Sequence, residues 1–343
     1  MRRRHTTWLA LFAARTMVLA ACGDSTDDTT ATDDTEGSTE TTAAAAEPFR
    51  IAIVAPSASN DLAFTQSIVD AVDVIRSEMG NVEVAVTDGT FVVEDAAAAI
   101  RGYASEGYDL VIAHGSQYGG SLQEIAPDFP EVSFAWGTAA DTFGIPNVYS
   151  YEAASDEGGY VMGVMAAALS ESGVIGVVGP IEVGDAKLYV DGFAAGVVAQ
   201  NPAASVNINY TGSFGDVALA SEAAQAHAAA GADVMSGTAQ MVVGAVGVAD
   251  EQGILWFGTQ ANQSSLAPDI VVASQVYHWE VVLRDIISNL QSGKLGGEIY
   301  SINLANGGEV IEYNPGYALP DDVRQLAEET IAGIIDGSIS TGG

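Results

Sequence analysis

From Phe49 onward, short apolar runs alternate with amphipathic stretches to the end of the chain. Arg50 to Ala55 reads as a strand. Asn60 then reads as a helix N-cap, with Phe64, Ile68, Val72, Ile75 and Met79 at helical spacing behind it. The pattern predicts strands over 82–86, 110–113 and 132–136, separated by helices near 94–105 and 122–126. A second series follows: helices near 156–170, 186–200, 217–229 and 242–251, with strands over 174–178, 206–210, 233–236 and 254–257. Most of these strands are short, apolar and β-branched, as expected where helices cover both faces of a parallel sheet. Two successive βα series of about 100 residues each predict two doubly wound lobes. The tail adds strands over 270–275 and 299–304 and helices over 280–291 and 321–335, as needed by a chain that threads between lobes more than once.

The first 48 residues break this pattern. Arg2-Arg3-Arg4 precede a short apolar run from Trp8 to Ala14, too short for a stop-transfer helix. Leu19-Ala20-Ala21-Cys22 resembles a bacterial lipoprotein signal, which implies cleavage after residue 21 and lipid attachment at Cys22. Residues 22–48 are rich in Asp, Glu, Thr and Ala, with neither a basic nor an aromatic residue. Such a segment buries too little to offset its ordering entropy and is expected to be a disordered tether reaching about 25–30 Å.

Composition narrows the partners. The 343-residue chain is 48% apolar, enough for two real cores, and carries a formal charge of −34. Loss of the signal removes four arginines and no acid, which deepens the charge to near −38. That field repels nucleic acid and anionic lipid. Cys22 is the single cysteine, so neither an intrachain disulfide nor a thiolate metal site can form. Catalytic signatures are missing as well. Gly179 to Lys187 lacks Walker spacing, and neither a G-x-S-x-G elbow nor an H-E-x-x-H run occurs. No cofactor is expected.

In doubly wound sheets, ligands meet the loops that leave the carboxyl ends of strands. Those loops carry aromatics among uncharged polar groups: Ser57 to Gln66 with Asp61 and Phe64, His114 to Gly120 with Gln117 and Tyr118, and Trp136 at the end of its strand. The second series contributes Phe214 between glycines, Thr238, the run Gly258 to Gln263 with Gln260 and Asn262, and Tyr277-His278-Trp279. This mixture suits a small, flat, polar heterocycle held between rings. The candidate ligand-binding residues are Asp61, Phe64, Gln66, Gln117, Tyr118, Trp136, Phe214, Thr238, Gln260, Asn262, Tyr277 and Trp279.

Ile51-Ala52-Ile53-Val54 followed by Asp61-x-x-Phe64-x-Gln66, and Tyr210-x-Gly212-Ser213-Phe214-x-Asp216, resemble the BMP (basic membrane protein) family of substrate-binding lipoproteins of ABC importers. Asp156-Glu157-Gly158-Gly159-Tyr160-x-x-Gly163, Gly192-Phe193-x-x-Gly196 and Gly258 to Gln263 extend the resemblance over most of 49–305. It implies a type I periplasmic-binding-protein fold, with two doubly wound parallel-sheet lobes, three interlobe crossovers and the ligand in the cleft. Lobe I is expected at 49–148 plus 276–298, and lobe II at 149–275 plus 299–343. The resemblance further implies a non-enzymatic, membrane-anchored monomer serving an ABC permease. Its ligand would be a purine nucleobase or nucleoside sandwiched by Phe64 and Phe214, with Asp61 near the sugar. Gln260 and Tyr277 stand where the nucleoside-binding members carry an aspartate and a lysine on the ribose side, which is closer to a branch associated with free nucleobases such as adenine. Two other readings stay open: a sensor that docks a signalling partner, and a binder of another small heterocycle or sugar. An enzyme acting on nucleosides would instead release free base from them.

Overall fold

The computed structural model describes residues 47–342. The signal sequence, Cys22 and nearly all of the tether lie outside the described residues.

The chain opens with β1 (Phe49–Val54), α1 (Phe64–Met79), β2 (Val82–Thr87), α2 (Val93–Ser105), β3 (Leu110–His114), α3 (Gly119–Ile125), β4 (Ser133–Gly137) and β5 (Val148–Ala153). It continues through α4 (Ser155–Leu169), β6 (Val174–Gly179), α5 (Gly184–Gln200), β7 (Ser205–Tyr210), α6 (Val217–Ala229), β8 (Val234–Gly237), α7 (Val243–Gln252), β9 (Leu255–Gln260) and β10 (Val271–Tyr277). The tail supplies α8 (Glu280–Gln291), β11 (Ile299–Ile302), β12 (Glu309–Tyr313) and α9 (Asp321–Ile335).

Two six-stranded sheets result, in the orders β11-β5-β4-β3-β1-β2 and β12-β10-β9-β8-β6-β7. Every pairing in the first is parallel; in the second only β12 runs antiparallel, against β10. Each sheet is covered on both faces. In the first lobe α1 and α8 share one core with Tyr149, Tyr151 and Trp279, and the other face buries Ile100, Tyr118, Leu122, Phe134 and Trp136. That double burial is why β3 and β4 are mostly apolar, with all five residues of each buried.

The chain crosses between lobes three times: from β5 to α4, from β10 to α8, and from β11 to β12. The expected lobe boundaries therefore shift. Residues 149–153, expected at the start of lobe II, belong to β5, which pairs with β4, and residues 299–302, also expected in lobe II, form β11, which pairs with β5. No helix separates β4 from β5, so the βα alternation passes over β5. The antiparallel β12 escapes for the same reason, being a half-buried edge strand outside that alternation.

The α4–α5 contact gives the glycine motifs their physical meaning. A Cβ at Gly163 would fall inside the van der Waals radius of the Phe193 carbonyl oxygen, and one at Gly196 would do the same to the Tyr160 carbonyl. The two helices thus touch backbone to backbone, which only glycine permits. The start of α4 also ties the crossovers together. Gly158 N–H donates to Glu309 Oε1 (2.6 Å), Leu304 N–H to Glu157 Oε2 (2.9 Å) and Gln275 Nε2 to the Ser155 carbonyl (3.3 Å). Among the described residues no helix is long and apolar enough to cross a membrane.

Candidate functional site

One cavity lies between the lobes at the carboxyl ends of their strands, the place where doubly wound sheets take their ligands. The first lobe contributes Pro56 after β1, Phe91 after β2, Ser116 and Gln117 after β3, and Thr138 after β4. The second contributes Val183 to Ala186 after β6, Phe214 after β7, Ala239 and Gln240 after β8, and Gln260 at the end of β9.

Phe64 is the first residue of α1, and its presentation is built by the loop before it. Asp61 accepts from Ser57 Oγ (2.6 Å) and from the amides of Ala63 (2.9 Å), Thr65 (3.1 Å) and Gln66 (3.1 Å). It therefore performs the helix-capping role read onto Asn60, and its oxygens are spent on the loop. The Phe64 ring stacks on His114 with centroids 4.1 Å apart and planes 22° apart, which braces one face of the ring. His114 is fully buried and donates or accepts at Nδ1 with Tyr151 Oη (2.8 Å). Desolvation pushes its imidazole down to about 3, so the brace is an uncharged aromatic plate at neutral pH.

Phe214 stands in the opposite lobe in a loop set by Thr211 and Ser213, whose side chains accept the Ser213, Gly215 and Asp216 amides. Asp216 caps α6 through the amides of Ala218 and Leu219. The lobes touch beside this ring: a Cβ on Gly215 would lie 2.7 Å from the Phe91 ring. A second bridge runs from Gln263 Nε2 to the Leu62 carbonyl (3.3 Å). Backbone strain concentrates here. Of five non-glycine residues with positive φ among the described residues, Thr138 (59°), Ala239 (75°) and Gln260 (71°) line the cavity.

Of the twelve candidates, Phe64, Gln117, Phe214 and Gln260 meet in this cavity. Gln66, Asn262 and Tyr277 line a neighbouring, more acidic cleft with Asp70, His278, Glu280 and Glu312, and Gln260 forms the wall shared by the two. Asn262 is engaged at both ends there, donating to Glu312 Oε2 (2.6 Å) and accepting the Ser264 amide (2.9 Å). Three aromatics serve as core instead. Tyr118 is fully buried with its hydroxyl on the Thr90 carbonyl (2.8 Å); Trp136 donates to the Gly115 carbonyl (3.1 Å); Trp279 donates to Ser67 Oγ (2.9 Å) beneath His114. Thr238 is buried beside the cavity, outside its lining.

Among the lining residues outside the sequence-predicted set are Phe91 and Asp185. The strand-end rule reaches both when carried to β2 and β6. Asp185 sits in the first turn of α5, its position held by Ser155 Oγ donating to its carbonyl (2.5 Å). Burial pushes its carboxyl up to about 6, opposed by the Ala186 amide and reinforced by Glu152. Among the described residues no group of His, Cys, Asp and Glu is arranged to hold a metal.

Two α/β lobes, three crossovers and a polar, aromatic cavity at the facing strand ends define a binding protein of the type I periplasmic class. Residues 49–339 match the family model described as ABC transporter substrate-binding protein PnrA-like, and the chain belongs to that family, one of binding proteins and not of enzymes. It is 28% identical to a purine-binding protein of Brucella abortus over 246 residues, 72% of this chain and 69% of that one. It is 26% identical to the transcriptional activator protein med of Bacillus subtilis, over 85% and 89% of the two chains. An ABC transporter solute-binding protein from Conexibacter woesei superposes with a TM-score of 0.70 at 24% identity, covering 85% of this chain and 97% of that one.

Proposed function

We propose that this ABC-transporter binding protein takes a purine-type nucleobase or nucleoside into the interlobe cavity and, as a monomer, presents it to its permease. The observation carrying the reading is the pair Phe64 and Phe214, one from each lobe, lining a single cavity with Gln117, Gln240 and Gln260. Aromatic faces hold a flat heterocycle and the amides pair with its edges. The purine-binding relative in Brucella abortus supports the same choice. Contacts to both lobes would stabilise the closed arrangement relative to an open one.

A thermal-shift panel of adenine, adenosine, inosine, riboflavin and ribose tests this. Ligand at 100 times its Kd adds about 2.7 kcal/mol of stability, so purines should raise the melting temperature of the wild type and leave Phe214→Ala unmoved. A rise with ribose and none with any purine refutes the ligand class, and a purine shift that survives in Phe214→Ala refutes the stacking role.

Anchoring at the outer face of the cell membrane through a lipid on Cys22 belongs to the same proposal, motivated by Leu19-Ala20-Ala21-Cys22. Radiolabelled palmitate should enter the wild type and not Cys22→Ser; a wild type that takes up no label removes the anchor. A second reading, a ligand sensor acting on a regulatory partner, is favoured by the Bacillus subtilis relative. Unimpaired purine uptake in cells lacking the protein would favour it over import.

A further inference from the structure

Two residues of the cavity wall each carry a buried side-chain acceptor with no partner in the protein. Asp185 Oδ2 and Gln260 Oε1 are buried on residues 9% and 3% exposed, and neither meets a donor. A buried acceptor left without a donor bears its full desolvation cost, so both atoms are complementary to something that supplies hydrogen. At Gln260 the backbone also sits at φ 71°, a conformation a glutamine does not favour on its own.

The two groups differ in what they accept. Gln260 can turn its amide and offer an acceptor or a donor, whereas an ionised carboxylate only accepts. No ion pair among the described residues neutralises Asp185. Lys187, two residues further on, is paired with Asp191 instead. The Ser155 hydroxyl fixes the Asp185 backbone through its carbonyl, which keeps this residue in the cavity wall.

Resting on the purine reading above, we infer that Asp185 is a specificity-determining residue that accepts an N–H from the ligand and selects amino-substituted heterocycles over those presenting a carbonyl or bare ring edge. Gln260 takes a second hydrogen bond and adapts to the remaining edge.

Isothermal titration at pH 7.5 with adenine, hypoxanthine and unsubstituted purine tests this on the wild type and on Asp185→Asn, whose amide can donate. The wild type should bind adenine at least tenfold more tightly than either of the others. The substitution should shrink the adenine-to-hypoxanthine preference at least tenfold. Equal affinity of the wild type for adenine and unsubstituted purine overturns the inference without any variant. So does a preference that Asp185→Asn leaves unmoved, and in both cases the purine reading survives. If none of the three binds the wild type, the purine reading fails and this inference falls with it.

Discussion

Replacing Asp185 by asparagine should make the unliganded protein more stable at neutral pH, because the wild-type carboxylate is held buried with one oxygen unpartnered. Burial raises its carboxyl from 3.8 to about 6. At about 1.36 kcal/mol per unit, keeping it ionised above pH 7 costs the native state about 3 kcal/mol. The sign follows from proton linkage. Between the unfolded and folded values the native state holds the proton and the unfolded state has released it. Wild-type stability from this group is therefore intact below the unfolded value and is lost as pH rises through about 6. The isosteric amide has no such loss. The gain over wild type should be about 1 kcal/mol at pH 4.5 and about 3 kcal/mol at pH 7.5, with no further growth above that.

The ionisable groups coupled to Asp185 are Glu152 on β5 and Tyr277 on β10, and neither is altered by the substitution. Urea unfolding followed by tryptophan fluorescence at the two pH values reads the difference directly. For a unit of about 300 residues, 3 kcal/mol corresponds to a rise in melting temperature of roughly 5 °C. A gain of equal size at both pH values would trace it to packing and refute the desolvation reasoning; a loss at pH 7.5 would show the carboxylate to be paired in solution. Combined with the selectivity expected above, the variant should trade discrimination for stability, as sites that hold unpaired groups for a ligand do.

Two further substitutions probe the frame around the site. Burial raises the Glu309 carboxyl well above its ordinary value, while Oε1 accepts the Gly158 amide; Glu309→Gln should match or exceed wild-type stability in urea at pH 7.5, and a loss beyond about 1 kcal/mol would mean that the charge itself is needed. Gly163→Ala should lower stability by about 1–3 kcal/mol, because its methyl meets the Phe193 carbonyl; an unchanged melting temperature would refute the backbone contact between α4 and α5.

The strongest sequence signals were those repeated along the chain. Fully buried strands such as β3 and β8, each followed by a helix, announce a doubly wound sheet, and the two βα series announce two lobes. β5 is invisible to that logic because it follows β4 without a helix, although Tyr149 and Tyr151 stand two apart, as side chains on one face of a strand do, and both enter the core shared by α1 and α8. The same period could have reassigned Trp136. It stands two residues from Phe134 on β4, and both belong to one buried cluster with Ile100 and Tyr118. Asp61 is a different case. A carboxylate three residues before a helix can face a ligand or cap the helix, and only the four hydrogen bonds it accepts decide for the cap.

Site and frame are joined at the start of α4. Ser155 holds the turn that carries Asp185, and its own carbonyl is held by Gln275 on β10, beside the second crossover. Glu157 and Glu309 bind the same helix start to the third crossover. Buried polar groups paired through several segments fix one arrangement more sharply than apolar contacts of equal area, since any shift leaves a donor or acceptor unmade. The lobe that carries Asp185 and Phe214 is thereby anchored to the hinge. Tyr277 and His278, at the second crossover, line the neighbouring acidic cleft. If a ligand N–H is buried against Asp185 as inferred above, it is felt at the same turn that ties α4 to the crossovers, which would couple recognition to closure through a single short segment.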